Sequence, residues 1–227
     1  MNGRQRKNTG SSKSHITVLY IILLSFLTVL AYRLTGRVSV SYVTAGLLVY
    51  PIPYYYMRKL RPYKALAASI IVPVLAGTIA AITLYSVIGR PERLILEYQV
   101  PVLGLHVDTG SPLLVLGGAV AGIFTGGLVS ALVSTALYAG LFARLVSGSL
   151  TVDTIYVYTL AGMLGSVATV LGMAVIRAAR KKDGLKARTV YVLIGLLVVL
   201  SVAYVLAWLG MLVPSNYSRL LGARVAF

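Results

Sequence analysis

The chain contains no cysteine, which excludes disulfides, thiolate metal sites and thiol nucleophiles. It is almost as poor in acids, with five Asp and Glu in 227 residues, and charges of both signs make up only 11%. Soluble domains carry about 25%. So little charge cannot cover a water-facing surface, which excludes an ordinary soluble enzyme, a disordered tail and a disulfide scaffold.

What is present is apolar surface and positive charge. Hydrophobic residues make up 58% and mean hydropathy is +0.87, the composition of a polytopic helical membrane protein. Lys and Arg number 21, for a net charge of +16. In a membrane protein such an excess first reports topology and contact with anionic head groups.

Residues 1–14 are basic, polar and rich in Ser, Gly and Asn, and read as a flexible cytoplasmic tail. Apolar runs follow at about Ile16–Tyr32, Val38–Met57, Ala65–Ile88, Pro112–Phe142, Thr154–Val175 and Thr189–Val213. AYRLTGR after the first run offers no small-x-small cleavage site, so that run is read as an uncleaved span. Residues 15–213 then form one transmembrane helical domain with an outer loop at 89–111, and 214–227 form a short outer tail.

The fourth run is too long for one crossing. As a single helix it would measure roughly 46 Å against a hydrocarbon core of about 30 Å. Either it is one long tilted helix, giving six spans, or it folds back near Gly126-Gly127, giving seven. With seven spans and the N-terminus inside, 14 basic residues lie inside and 7 outside; with six the split is 11 to 10. The positive-inside rule therefore favours seven spans, N-terminus inside and C-terminus outside; the expected location is the plasma membrane. Against a turn stands the four-residue recurrence of Gly118, Gly122, Gly126, Ser130 and Ser134, which on a continuous helix would form one stripe.

Small residues let lipid-solvated helices approach closely. Besides that stripe, the third run carries Ala65, Ser69, Pro73, Gly77 and Ala81, and the fifth carries Ala161, Gly165 and Thr169. The expected helix-packing residues are Ser69, Gly77, Ala81, Gly118, Gly122, Gly126, Ser130, Ser134 and Gly165. They imply a central bundle of the third, fourth and fifth runs. LGGAVAGIFTGGL (116–128) and LAGMLGSVATVLG (160–172) share Leu, Gly and Thr at matching offsets, the pattern an internal repeat would leave.

Ionisable residues deep inside spans mark ion coupling or catalysis, and the runs contain none well inside. Arg33, Arg144 and Arg177 sit near ends, where their stems reach the interface. Reactive types gather only at 90–108, which holds Glu92, Glu97, His106 and Asp108. A hairpin turning near Pro101 would lie on the outer surface and align His106 with Asp108. A metal site generally needs three or four ligands, so no metal or cofactor is expected. DGLKAR (183–188) resembles part of the motif of CDP-alcohol phosphotransferases, which hold metal through aspartates along a helix. Arg180 replaces the earlier aspartate and the next span has no Asp, leaving no two-metal site.

YPIPYYYMRKLRPYK (50–64) interleaves aromatics with cations, as single-strand-binding surfaces do. At a span end the same pattern places Tyr at the interface and the cations among phosphates. Pro51 and Pro53 should bend or end the second helix. Arg58, Lys59, Arg61, Arg180, Lys181 and Lys182 are the expected docking residues for anionic lipid or a peripheral protein partner. Asn216-Tyr217-Ser218 is a glycosylation sequon, in keeping with an outer C-terminus. The expected function is a non-catalytic subunit of a larger membrane assembly, with transport among its roles. Two alternatives stand beside it. One is a small-solute transport component without buried coupling carboxylates, which resembles the six-span subunits of modular vitamin importers in length and hydropathy. The other is an outer-face enzyme using Glu97, His106 and Asp108.

Overall fold

The computed structural model describes residues 10–100, 105–180 and 187–210. They form eight α-helices, one 3₁₀ turn and one two-stranded hairpin. Five helices are long and apolar enough to cross a membrane, which makes this a multi-pass membrane protein built as a helical bundle.

Helix α1 spans Gly10–Thr35, beginning inside the segment assigned from sequence to the tail. Extending an existing helix costs far less than nucleating one, so its polar first turns continue the apolar part. Gly36 (φ +66°) ends it in the left-handed conformation, its N–H donating to the Tyr32 carbonyl at 2.7 Å. Helices α2 (Val38–Val49) and α3 (Pro51–Arg58) meet at Tyr50. Pro51 and Pro53 remove two backbone donors. The bonds Tyr50 N to Gly46 O and Tyr54 N to Tyr50 O persist, so the helical path continues past the junction.

Helix α4 (Pro62–Ile88) starts on a proline and stops at Gly89, φ +69°. The 3₁₀ turn Pro91–Leu94 follows, then strands β1 (Glu97–Val100) and β2 (Leu105–Asp108), antiparallel with Gln99 opposite His106 and Glu97 opposite Asp108. The hairpin read from sequence is thus present. The side chains of 97–108 lie outside the described residues, and with them the proposed His106–Asp108 alignment.

The long fourth run is broken. Helix α5 covers Pro112–Phe124 and α6 covers Leu128–Val146. Gly126 and Gly127 between them both have positive φ, +67° and +90°. Gly127 N–H bonds to Gly122 O, the six-to-one closure of a Schellman turn with Gly126 in the left-handed position. The Thr125 hydroxyl then accepts from Val129 N at 3.3 Å, covering an orphan donor at the start of α6. One continuous tilted helix is therefore not the structure. The Gly/Ser stripe is folded over, so that Gly118 faces Val133 and Gly122 faces Ser130 across the turn.

Helix α7 (Val152–Ala179) opens on Thr151, whose hydroxyl accepts from Thr154 N at 3.2 Å, and runs unbroken. The 116–128 segment bends at its Gly-Gly while 160–172 stays helical, so the shared letters do not make a structural repeat. Helix α8 (Ala187–Trp208) completes the bundle. Helices α4, α6 and α7 touch one another at the centre, α1 flanks α2 and α4, and α8 flanks α7. Interior side chains here are small (Ala65, Ala76, Ala80, Ala139, Ala161, Ala168), whereas α1 and α8 expose Phe26, Leu34, Val192 and Val199.

The α1–α2 turn and the 3₁₀ turn lie at one end, the strand end. There the buried Tyr42 hydroxyl donates to Leu94 O at 2.9 Å. The opposite, basic end brings Arg177 to Met57, its guanidinium donating to that carbonyl. Tyr42→Phe should cost about 1 kcal/mol, because the Leu94 carbonyl stays buried and loses its donor. A lowered thermal midpoint with faster hydrogen exchange at 91–96 is the expected readout; unchanged exchange there would contradict the anchoring role.

Candidate functional site

Small residues singled out in the sequence lie in close contact with neighbouring helices, at Gly77 with backbone itself. At Gly77 on α4 an added Cβ would stand 2.6 Å from Thr135 O and 2.9 Å from Ala139 N, both on α6. Ala81 is fully buried beside it. At Gly165 on α7 the added atom would meet the Ser134 hydroxyl at under 3.0 Å. At Gly172 it would meet Gly122 O and Gly127 N, so the α5–α6 turn sits directly on α7. Gly162, beside the Ala161, Gly165 and Thr169 line, is covered by the Tyr138 ring.

A buried hydroxyl network lies between these faces. Pro73 has no N–H, which releases the Ser69 carbonyl from its bond within α4. The Ser166 hydroxyl of α7 donates to that carbonyl at 2.7 Å and is also within reach of Gly162 O. In return the Ser69 hydroxyl lies 3.2 Å from Ser166 O and 2.8 Å from Leu66 O. Thr169 donates to the Ser130 hydroxyl at 3.2 Å, tying α7 to α6. Ser134, though fully buried, has no hydrogen-bond partner for its hydroxyl. Apart from Ser134, these neutral hydroxyls are satisfied by one another or by helix carbonyls in apolar surroundings. These bonds tie α7 to α4 and α6.

A second polar cluster stands at the strand end. The Arg144 Nε donates to the Tyr158 hydroxyl at 3.3 Å, and Thr109 lies 3.1 Å from that same oxygen. Tyr204 of α8 donates to Gly110 O. These contacts pin the start of α5 and the flanking α8 to α7 and α6, and they hold Arg144 near a helix end, as its sequence position implies.

At the basic end Arg58, Lys59, Arg61 and Arg180 are exposed. Lys59 Nζ lies 4.6 Å above the Tyr55 ring, and Tyr50 stacks on Tyr54 with centroids 5.9 Å apart. The Tyr50 hydroxyl donates to Gly126 O at 2.8 Å, joining the proline junction to the α5–α6 turn. Nothing in the sequence pairs Tyr50 with Gly126; only the fold does. Lys181, Lys182, the DGLKAR segment up to Lys186, and Asn216 lie outside the described residues.

Among the described residues no group of three His, Asp or Glu gathers as a metal site would require. No family model, no curated protein and no solved structure matches the chain.

Proposed function

We propose that the chain is a non-catalytic, seven-span subunit of a larger assembly in the plasma membrane, with its N-terminus and basic loops on the cytoplasmic side. One observation carries this reading: the faces of α4 and α7 that would have to line a path are closed by neighbouring backbone, α6 at Gly77 and the α5–α6 turn at Gly172. Helices of α1 and α8 type, largely apolar and exposed, supply area for lipid and partner helices. Arg58, Lys59, Arg61 and Arg180, with Lys181 and Lys182 beyond, serve anionic head groups or a peripheral protein.

The topology is testable because the chain has no cysteine of its own. With Ser149→Cys and Ala179→Cys introduced singly, a membrane-impermeant maleimide should label position 149 from outside and position 179 only after permeabilisation. The reverse pattern would reject seven spans with the N-terminus inside. Mild-detergent purification tests the subunit reading: co-elution with another membrane protein in fixed ratio supports it, and a lone monomer carrying a small molecule rejects it.

Transport has one specific observation in its favour. Helix α5 has 13 residues, about 20 Å, shorter than the hydrocarbon core, and it turns on a glycine pair as the broken helices of transporters do. Solute uptake by reconstituted vesicles would carry that reading.

A further inference from the structure

At the strand end a cavity of about 480 Å³ opens between the α1–α2 turn and the 3₁₀ turn, lined by Tyr32, Arg37, Ser39, Arg93, Ile95 and Leu96. Two arginines thus share one small space. Neither guanidinium has a hydrogen-bond or ion-pair partner among the described residues, and Glu92, next to Arg93 in the chain, is exposed and pairs with neither. Both arginines are exposed, so an anion entering this space meets two unpaired guanidinium groups.

The cavity is held in shape rather than left to chance. The Tyr42 bond to Leu94 O fixes the residue next to Arg93, and Leu94 is fully buried beneath it. The Gly36 closure on Tyr32 fixes the residue before Arg37. Arg37 is the N-cap of α2 and gives no side-chain acceptor to that helix, so the positive end of the helix adds to the two guanidinium charges. Guanidinium forks match phosphate oxygens bidentately.

We propose that this cavity binds the phosphate of an anionic phospholipid in the leaflet at the strand end. A lipid, and not free phosphate, fits because one wall is apolar (Ile95, Leu96 and the Tyr32 ring) and because the exposed face of α1 continues away from it. On the outer side of α1, away from Tyr32, Leu34, Leu30 and Phe26 are 76%, 38% and 61% exposed, apolar surface at the same end of the helix for acyl chains. The site is separate from the basic band at Arg58 to Arg61, and it holds whichever side of the membrane this end faces.

Native mass spectrometry of the full chain in detergent tests it, with dioctanoyl phosphatidylglycerol, dioctanoyl phosphatidylcholine and inorganic phosphate as probes. All measurements are made on an Arg58→Gln/Arg61→Gln background, which weakens the opposite band. Phosphatidylglycerol should bind at least tenfold more tightly than phosphatidylcholine. Adding Arg37→Gln/Arg93→Gln should remove that preference, and Arg37→Lys/Arg93→Lys should retain part of it, since charge remains without the fork. Because neither side chain has a partner to lose, both variants should keep the thermal midpoint measured without lipid. An unchanged preference in the double Gln variant overturns the proposal. Equal binding of both lipids also overturns it, as does inorganic phosphate displacing phosphatidylglycerol at equal concentration, which would assign the site to free phosphate.

Discussion

Gly127→Ala should destabilise the folded bundle by about 3 kcal/mol, a large effect for a single added methyl. Two costs combine. The φ of +90° is strained for any residue with a Cβ, and the new methyl would meet the Thr169 carbonyl of α7 at under 3.0 Å. Left-handed strain is on the order of 1 kcal/mol and overpacking about 1–3 kcal/mol. Backbone cannot rotate aside as a side-chain tip can. Gly172→Ala has only the second cost, against Gly122 O and Gly127 N, and should lose about 2 kcal/mol. Gly117 and Gly195 are the controls, since an added Cβ meets nothing within 4 Å at either. Alanine there should leave stability unchanged or raise it by up to about 1 kcal/mol through helix propensity. Thermal midpoints in detergent, read from the monodisperse chromatographic peak, decide the matter; Gly127→Ala melting with Gly117→Ala would refute the seat of the turn on α7.

The second large effect is expected at Gly77. Here α4 and α6 approach so closely that even a methyl would stand 2.6 Å from Thr135 O, and Gly77→Leu would force the central helices apart. The separation would also strip the burial of Ala76, Ala80 and Ala139, which belong to one apolar cluster with Leu24 and Leu84. Gly77→Leu should leave little folded protein in the membrane fraction, while Gly77→Ala should lose about 2 kcal/mol. Gly195→Leu on α8 adds the same side chain in open space and should be neutral. Equal yields for Gly77→Leu and Gly195→Leu would mean that the α4–α6 approach is not what holds the bundle.

Much of the architecture is legible from local features, for particular reasons. The break in residues 112–142 follows from length against bilayer thickness and from the orientation of charge, and the glycine pair marks its place. The helix stops at Gly36 and Gly89 are glycine positions for the same conformational reason. The Gly118–Ser134 periodicity argued for a continuous helix because spacing reports a face only while the helix lasts. Two left-handed glycines cancel the phase, and a four-residue repeat carries no sign of that. The 116–128 and 160–172 echo failed likewise: the Gly126-Gly127 pair gives a turn in one place, and similar letters without it give a straight helix in the other.

By itself, the sequence determined that this is a multi-pass helical membrane protein, roughly where its apolar helices lie, and that small residues do the packing. Those properties depend on burial per residue, backbone conformation and chain length, all of which are local. Only the tertiary structure decided which backbones touch. Pro73 shows that a carbonyl is released at Ser69, but not that Ser166 of α7 takes it up. Arg37 and Arg93 lie in separate loops, and their shared cavity exists because Tyr42 draws the 3₁₀ turn onto α2. Pairing across the bundle is set by the fit of whole helix faces, a property no single stretch of residues contains.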